Sequence, residues 1–398
     1  MTISVLVVDD SVVVRKLVTS VLDADPDLAV VGTAPNGRIA LAKIAQLRPD
    51  LVTLDIEMPE MDGLETLRQL RRTDRALPVV MFSTLTERAA QATLEALSLG
   101  ADDYVTKPAN VGSVTAAMEA VRAQLVPKVK ALCAARRPVS RVHPAAAHPA
   151  ALSPTAPRPT ALDPRAARAA APVPGVRPAA AAPRPVAPAA APSSPGLVPQ
   201  VLAIGCSTGG PEALGTVLRA LPASLPVPVV VVQHMPPLFT AMFAQRLDAQ
   251  CALRVREAED GDRLEPGRVL IAPGDFHMTV SRAGALPVVR LDSSAQENFC
   301  RPAVDPLFRS LAQAYGSAVL ALVLTGMGQD GLLGAGRLRE AGAPVLVQDA
   351  ATSTVWGMPG AIANAGLATA VLPLPQVAPA VLGALGALRP AVLAAGAR

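Results

Sequence analysis

The sequence predicts an α/β protein made of two sheet domains joined by a long linker. Short β-branched runs alternate with helix-length stretches over residues 1–125, and the same alternation returns over 200–370. Between them, 134–199 holds 16 of the chain's 40 prolines, mixed with Ala and Arg and without a sustained apolar period. The expected organisation is therefore a first domain at 1–125, a linker at 126–199, a second domain at 200–370 and a C-terminal tail at 371–398.

In the first domain the strand candidates are SVLVV (4–8), AVVGTA (29–34), DLVTLDI (50–56), LPVVMFS (77–83) and DDYVTK (102–107). Helical patterns at 12–22, 37–47, 64–72 and 87–98 separate them, so the reading is a doubly wound (βα)5 parallel sheet. The linker cannot bury a core, and its Ala-Pro character favours extended polyproline-like chain. In the second domain VLAIG (201–205), PVVVVQH (228–234), VLIAP (269–273), AVLALVLTG (318–326) and PVLVQD (344–349) read as strands of a second, mainly parallel, Rossmann-like sheet. The Ala/Leu/Pro-rich tail reads either as a loosely docked helix or as frayed chain.

Composition excludes several classes. The net charge of +4 comes from the linker, where eight Arg face a single acid, Asp163, so the rest of the chain is net acidic. That disfavours a nucleic-acid partner, and 2% aromatic residues leave few platforms for stacking on bases. Four scattered cysteines without CxxC spacing read as free thiols in a reducing compartment. No basic n-region precedes an apolar stretch, and every apolar run breaks well before a membrane span. The expected location is cytoplasmic, not membrane-embedded.

Asp9 and Asp10 end the first strand, Ser83 the fourth and Lys107 the fifth, while Asp55 stands alone at the end of the third. In an open parallel sheet these ends share one edge, where ligands bind. Three carboxylates repel one another unless a hard divalent cation such as Mg2+ joins them. Lys107 would balance an incoming phosphoryl group and Ser83 could hydrogen-bond to it, with Asp55 as acceptor. With DD (9–10), DIEMPEMDG (55–63), SxLT (83–86) and KP (107–108), residues 3–125 resemble the receiver domain of two-component response regulators. The resemblance implies an aspartyl phosphate on Asp55, Mg2+ on Asp9, Asp10 and Asp55, and phosphoryl contacts from Ser83 and Lys107. It also implies Tyr104 as the aromatic switch and a cis Lys107–Pro108 bond.

GCSTGG (205–210) follows the first strand of the second domain and presents Ser207 in a G-x-S-x-G turn. That pattern alone also suits an anion site at a helix N-terminus, and Cys206 is a rival nucleophile better suited to pointing inward. A serine nucleophile needs a base, and the base an orienting carboxylate. Of four histidines, His143 and His148 fall in the linker. His277 sits in APGDFHM, and His234 ends the strand next in sequence to that of Ser207, which makes His234 the better base. LTGMGQDG (324–331) delivers Asp330, and Thr208, Gly209 and Met327 could offer main-chain N–H groups to an oxyanion.

The stretches IGCSTGGP, QHMPPLFT, GDRLEPGRVLIAPGDFHM, RPAVDPLF, LTGMGQDG and DAATSTVWGMPGAI make 200–366 resemble the catalytic domain of the chemotaxis protein-glutamate methylesterases. The resemblance implies a phosphorylation-activated serine esterase acting on glutamate methyl esters of the chemoreceptor cytoplasmic helical bundle, in some members also a glutamine deamidase. It implies a chemotaxis histidine kinase as phosphodonor and no cofactor for hydrolysis. The alternatives are the same chemistry on receptors of a non-motility array, or a non-enzymatic, receiver-controlled interaction protein.

Overall fold

The computed structural model describes residues 2–108, 113–136, 198–283 and 286–386. The linker expectations for 137–197, including His143 and His148, lie outside the described residues.

The first domain is a five-stranded parallel sheet in the order β2-β1-β3-β4-β5. Its strands are β1 (Ile3–Val8), β2 (Leu28–Ala34), β3 (Leu51–Asp55), β4 (Val79–Ser83) and β5 (Asp103–Thr106). The helices are α1 (Val12–Asp23), α2 (Gly37–Leu47), α3 (Gly63–Thr73), α4 (Glu87–Ser98) and α5 (Val114–Arg136). β3 and β4 are buried along their whole length, as strands covered on both faces must be. The first four helices start where the chain supplies a capping oxygen: Ser11, Asn36, Asp62 and Thr86 each accept a backbone N–H from the first helical turn.

The expected boundary at 125 falls inside α5, which runs eleven residues into the stretch read as linker. Pro127 sits within this helix and normally marks a helix end. Burial overrides it, because Leu125, Val129 and Leu132 are fully enclosed in the same apolar cluster as Val18 and Leu22 of α1. Lys128 and Lys130 add ion pairs to Asp103 and to Asp25 and Asp27.

The second domain holds a seven-stranded parallel sheet in the order β14-β13-β12-β6-β7-β9-β8. Its strands are β6 (Val201–Cys206), β7 (Val229–Gln233), β8 (Arg254–Glu257), β9 (Arg268–Ile271), β12 (Val319–Val323), β13 (Val345–Gln348) and β14 (Ala370–Leu372). A separate antiparallel hairpin pairs β10 (His277–Ala283) with β11 (Leu286–Asp292). The helices are α6 (Gly210–Arg219), α7 (Phe239–Gln250), α8 (Val304–Tyr315), α9 (Leu332–Glu340), α10 (Met358–Asn364) and α11 (Leu374–Ala384). The part of the tail within α11 is folded: Val377, Ala378 and Val381 are buried in the core that also contains Leu214 and Leu218 of α6.

The two sheets share apolar packing. Leu94, Leu97 and Tyr104 of the first domain lie in one buried cluster with Met235, Phe239 and Phe243 of the second. The rings of Tyr104 and Phe239 stack with centroids 4.9 Å apart and planes 2° from parallel. Polar contacts flank the stack: Thr208 Oγ1 donates to Asp103 Oδ2 at 2.5 Å, and Arg246 Nη2 to Ser98 Oγ at 2.6 Å.

Candidate functional site

Both sheets reverse strand order once near the middle, and each reversal opens a crevice at the carboxyl ends of the strands. In the first sheet the reversal lies between β1 and β3, which carry Asp9, Asp10 and Asp55. One oxygen from each of these carboxylates falls within a 4.8 Å group. Lys107 Nζ reaches Asp55 Oδ2 at 2.8 Å and Asp9 Oδ2 at 2.9 Å. Three carboxylates with one ammonium among them leave net negative charge at this edge, an all-oxygen donor set suited to a hard cation. Burial raises the Asp55 carboxyl most, Lys107 pulls it back and Asp9 raises it further, leaving it pushed up to about 6. A side chain at Gly63 would put its Cβ 2.1 Å from the Asp55 main-chain O, so only glycine lets α3 start this close to the end of β3.

Ser83 makes no side-chain hydrogen bond to that cluster among the described residues. Its hydroxyl accepts from Thr93 Oγ1 at 2.7 Å and lies within reach of the Thr84 and Ala89 carbonyls, in the groove against α4. Tyr104 is buried against Phe239, with Lys128 Nζ 5.2 Å from its ring centre. The cis bond expected before Pro108 is absent. The recorded cis peptide joins Arg301 to Pro302, and Lys107 reaches both aspartates without one.

In the second sheet the reversal lies between β6 and β12. Parallel pairing sets Cys206 opposite Gln233, so Ser207 and His234 leave adjacent strands side by side. Ser207 N–H donates to Thr325 O at the end of β12 at 3.1 Å, and Gln233 Nε2 donates to Ser207 O at 3.0 Å. Gly209 takes φ +72° at the start of α6, where a side chain would also strike Thr354. Cys206 is fully buried and its thiol is pushed far upward by that burial, which removes it as a rival nucleophile.

His234 Nε2 lies 2.8 Å from Asp330 Oδ2. In the neutral imidazole, donation of Nε2–H to this carboxylate would leave Nδ1 as the acceptor nitrogen. Among the described residues Nδ1 is approached by Cys300 Sγ at 3.5 Å, not by Ser207 Oγ. The structure therefore brings His234 and Asp330 into contact and sets Ser207 beside them without a closed hydrogen bond. Burial alone would lower the His234 pKa, but Cys300 and Asp330 reverse the direction and hold the imidazole up at about 10.

Asp330 is the most heavily braced group of the site. Its Oδ2 also accepts Val304 N–H at 2.6 Å, and its Oδ1 accepts Asp305 N–H, Gly331 N–H and Asn298 Nδ2 at 2.9–3.1 Å. Two of these donors open α8, so the carboxylate fills the anion position at that helix N-terminus. Burial works against ionisation, but His234 and these N–H groups hold Asp330 below the usual carboxylate range. His277 is spent elsewhere: Nε2 lies 3.0 Å from Ala295 O, and Nδ1 accepts Ala303 N–H at 3.2 Å.

Thr208 is buried with its hydroxyl on Asp103, and Met327 packs on the cluster that contains Val105 and Val121 of the first domain. Sequence reasoning missed Gln233, Asn298, Cys300 and Asp305. Gln233 was within reach, since it is the last residue of β7 and directly precedes His234. The other three sit in or beside RPAVDPLF, a stretch whose polar residues have no chemistry until it is folded against Asp330.

The response regulator receiver domain family matches residues 5–119, and the CheB methylesterase family matches residues 202–381. The chain is similar to a protein-glutamate methylesterase/protein-glutamine glutaminase of Nocardioides sp., with 54% identity over 99% of both chains. It is also similar to one of Trichodesmium erythraeum, with 46% identity over 96% of this chain and 99% of that one. The crystal structure of the Thermotoga maritima CheB methylesterase catalytic domain covers 47% of this chain and 99% of its own at 42% identity, with a TM-score of 0.46. Fold and site together define a response regulator whose output domain is an enzyme, a hydrolase on an α/β sheet. The chain belongs to the protein-glutamate methylesterase/protein-glutamine glutaminase family, with the receiver and methylesterase domains in one polypeptide.

Proposed function

We propose that Ser207, His234 and Asp330 form the hydrolytic triad of this enzyme, which acts on glutamate methyl esters in the cytoplasmic helical bundle of chemoreceptors. The supporting observation is the His234–Asp330 contact at 2.8 Å beside Ser207 on the neighbouring strand. With Nε2–H fixed on Asp330, Nδ1 takes the Ser207 proton as Oγ attacks the ester carbonyl. The oxyanion is met by main-chain N–H groups of Thr208, Gly209 and Met327. Nδ1–H then protonates the departing methanol, and water, deprotonated by Nδ1, releases the free glutamate and restores Ser207. The same acyl-enzyme is reached from a glutamine side chain with ammonia as leaving group.

Asp55 is the proposed phosphoacceptor, with a histidine kinase of the chemotaxis system as phosphodonor. Asp9, Asp10 and Asp55 would hold Mg2+, which when bound neutralises charge on the phosphoryl oxygens. In the docked arrangement Asp103 holds Thr208, the residue after the nucleophile, and Tyr104 covers Phe239. Phosphorylation draws Ser83 off Thr93 toward Asp55, repacks the space beside Tyr104 and weakens this docking. The enzyme works in the cytoplasm; among the described residues no helix is long and apolar enough to cross a membrane. Incubation with methyl-labelled receptor membranes, with and without a phosphodonor, tests the proposal. Methanol release that rises with the phosphodonor supports it, and none under either condition refutes it.

A further inference from the structure

The chain beside His234 makes a turn that its sequence does not favour. Glu297 and Cys300 exchange both backbone hydrogen bonds, at 2.9 and 3.1 Å, around the two residues Asn298 and Phe299. Both central residues have positive φ, +52° and +63°, the signature of a type I′ turn. Asparagine tolerates that region; phenylalanine does not, and glycine is the residue such a turn selects. The Phe299 ring recovers nothing by packing, since the residue is 97% exposed.

Every neighbour of Phe299 is anchored. Glu297 is held by both terminal nitrogens of Arg309 at 2.6 and 2.8 Å. Asn298 Nδ2 bridges Asp305 and Asp330 at 3.0 Å each, and Cys300 Sγ touches His234 Nδ1. The turn is thus fixed to the catalytic groups on both sides, and its one unanchored side chain is a bare phenyl ring. Scattered exposed apolar residues need no explanation. An aromatic whose backbone is fixed in a strained conformation at the rim of an active site is a different case. The receiver leaves it uncovered even when docked.

We propose that Phe299 is a substrate-contacting residue that packs on an apolar side chain of the protein substrate next to the scissile glutamyl ester. This rests on the protein-ester reading above, because a helical substrate presented to Ser207 must pass the turn that touches His234 and Asp330. The anchored turn fixes the Phe299 backbone beside the catalytic groups, so only the side-chain rotamer remains to be ordered on association.

The test uses the full-length, phosphodonor-treated protein with a methylated receptor cytoplasmic fragment. Phe299→Ala and Phe299→Gly should raise KM about tenfold or more, the scale of losing one buried aromatic ring, while kcat stays within about twofold. Phe299→Leu and Phe299→Tyr should restore most of the affinity. Phe299→Gly should also raise Tm, because glycine relieves the positive φ. A purely structural ring would lower Tm and kcat instead. In a Ser207→Ala background, direct Kd measurement on the same fragment reads the contact without turnover. A Kd and KM unchanged by Phe299→Ala overturn the proposal, whereas a Ser207→Ala protein as fast as wild type overturns only the assignment of the nucleophile.

Discussion

Tyr104 of the receiver and Phe239 of the hydrolase lie ring on ring, 4.9 Å between centroids, beside the Asp103–Thr208 hydrogen bond. The residue expected to report phosphorylation is therefore itself part of the interface. An aromatic stack contributes about 0.5–1.5 kcal/mol beyond its area. Tyr104→Ala should shift docking toward release and raise methanol output without a phosphodonor by about 2–10-fold, with a correspondingly smaller response to the phosphodonor. Unchanged basal output would place the block elsewhere.

Ser207→Ala should remove nearly all esterase activity, leaving less than about a hundredth of the rate, since a triad without its nucleophile keeps only residual catalysis. The Ser207 main chain, not its hydroxyl, makes the recorded contacts, so Tm should stay within about 1–2 °C of wild type. Paired methanol-release and thermal-melt measurements check both halves.

Asp330→Asn should cost both rate and stability. The amide cannot accept all the N–H groups that Val304, Asp305 and Gly331 aim at the carboxylate, a loss of about 1–3 kcal/mol. The pH dependence has a definite sign. Asp330 is held below its ordinary value of 3.8, so its stabilisation is complete above that value and is lost as the pH falls through the lower folded value. The variant should melt lower at neutral pH and show a shallower fall in Tm at acid pH. An Asn variant with wild-type Tm would contradict the brace.

Cys300 Sγ lies 3.5 Å from His234 Nδ1, the nitrogen proposed to take the Ser207 proton, and with Asp330 it raises the imidazole. A raised imidazole holds its proton to higher pH, so the pH above which His234 can act as base depends on these neighbours. Cys300→Ser should move the acid limb of the pH–rate profile to lower pH. A limb that stays in place would show that Asp330 alone sets the imidazole.

Much of this was legible from particular residues. The β-branched runs and the helical periodicity between them are local signals, and they placed the receiver elements to within a few residues. His234 was preferred over His277 by strand position, and in the structure two hydrogen bonds occupy the His277 ring. Three features were hidden. The continuation of α5 past residue 125 is one, since burial of Val129 and Leu132 carries the helix through Pro127 into the stretch read as linker. The β10–β11 hairpin lies outside the main sheet, and its alternation is confined to Met278-Thr279-Val280-Ser281, too short to stand out. Asn298, Cys300 and Asp305 act only after the chain folds them onto His234 and Asp330 from distant positions.

The docked receiver as brake is tested most directly by methanol release from methylated receptors, comparing three proteins. These are the full-length chain without a phosphodonor, the same chain with one, and a chain beginning at Val198. Steric control predicts that the shortened chain is active without a phosphodonor, at or near the phosphorylated rate, while full-length Asp55→Ala stays slow under both conditions. A shortened chain slower than the unphosphorylated full-length protein would contradict it, and would make the receiver an activator or recruiter of substrate.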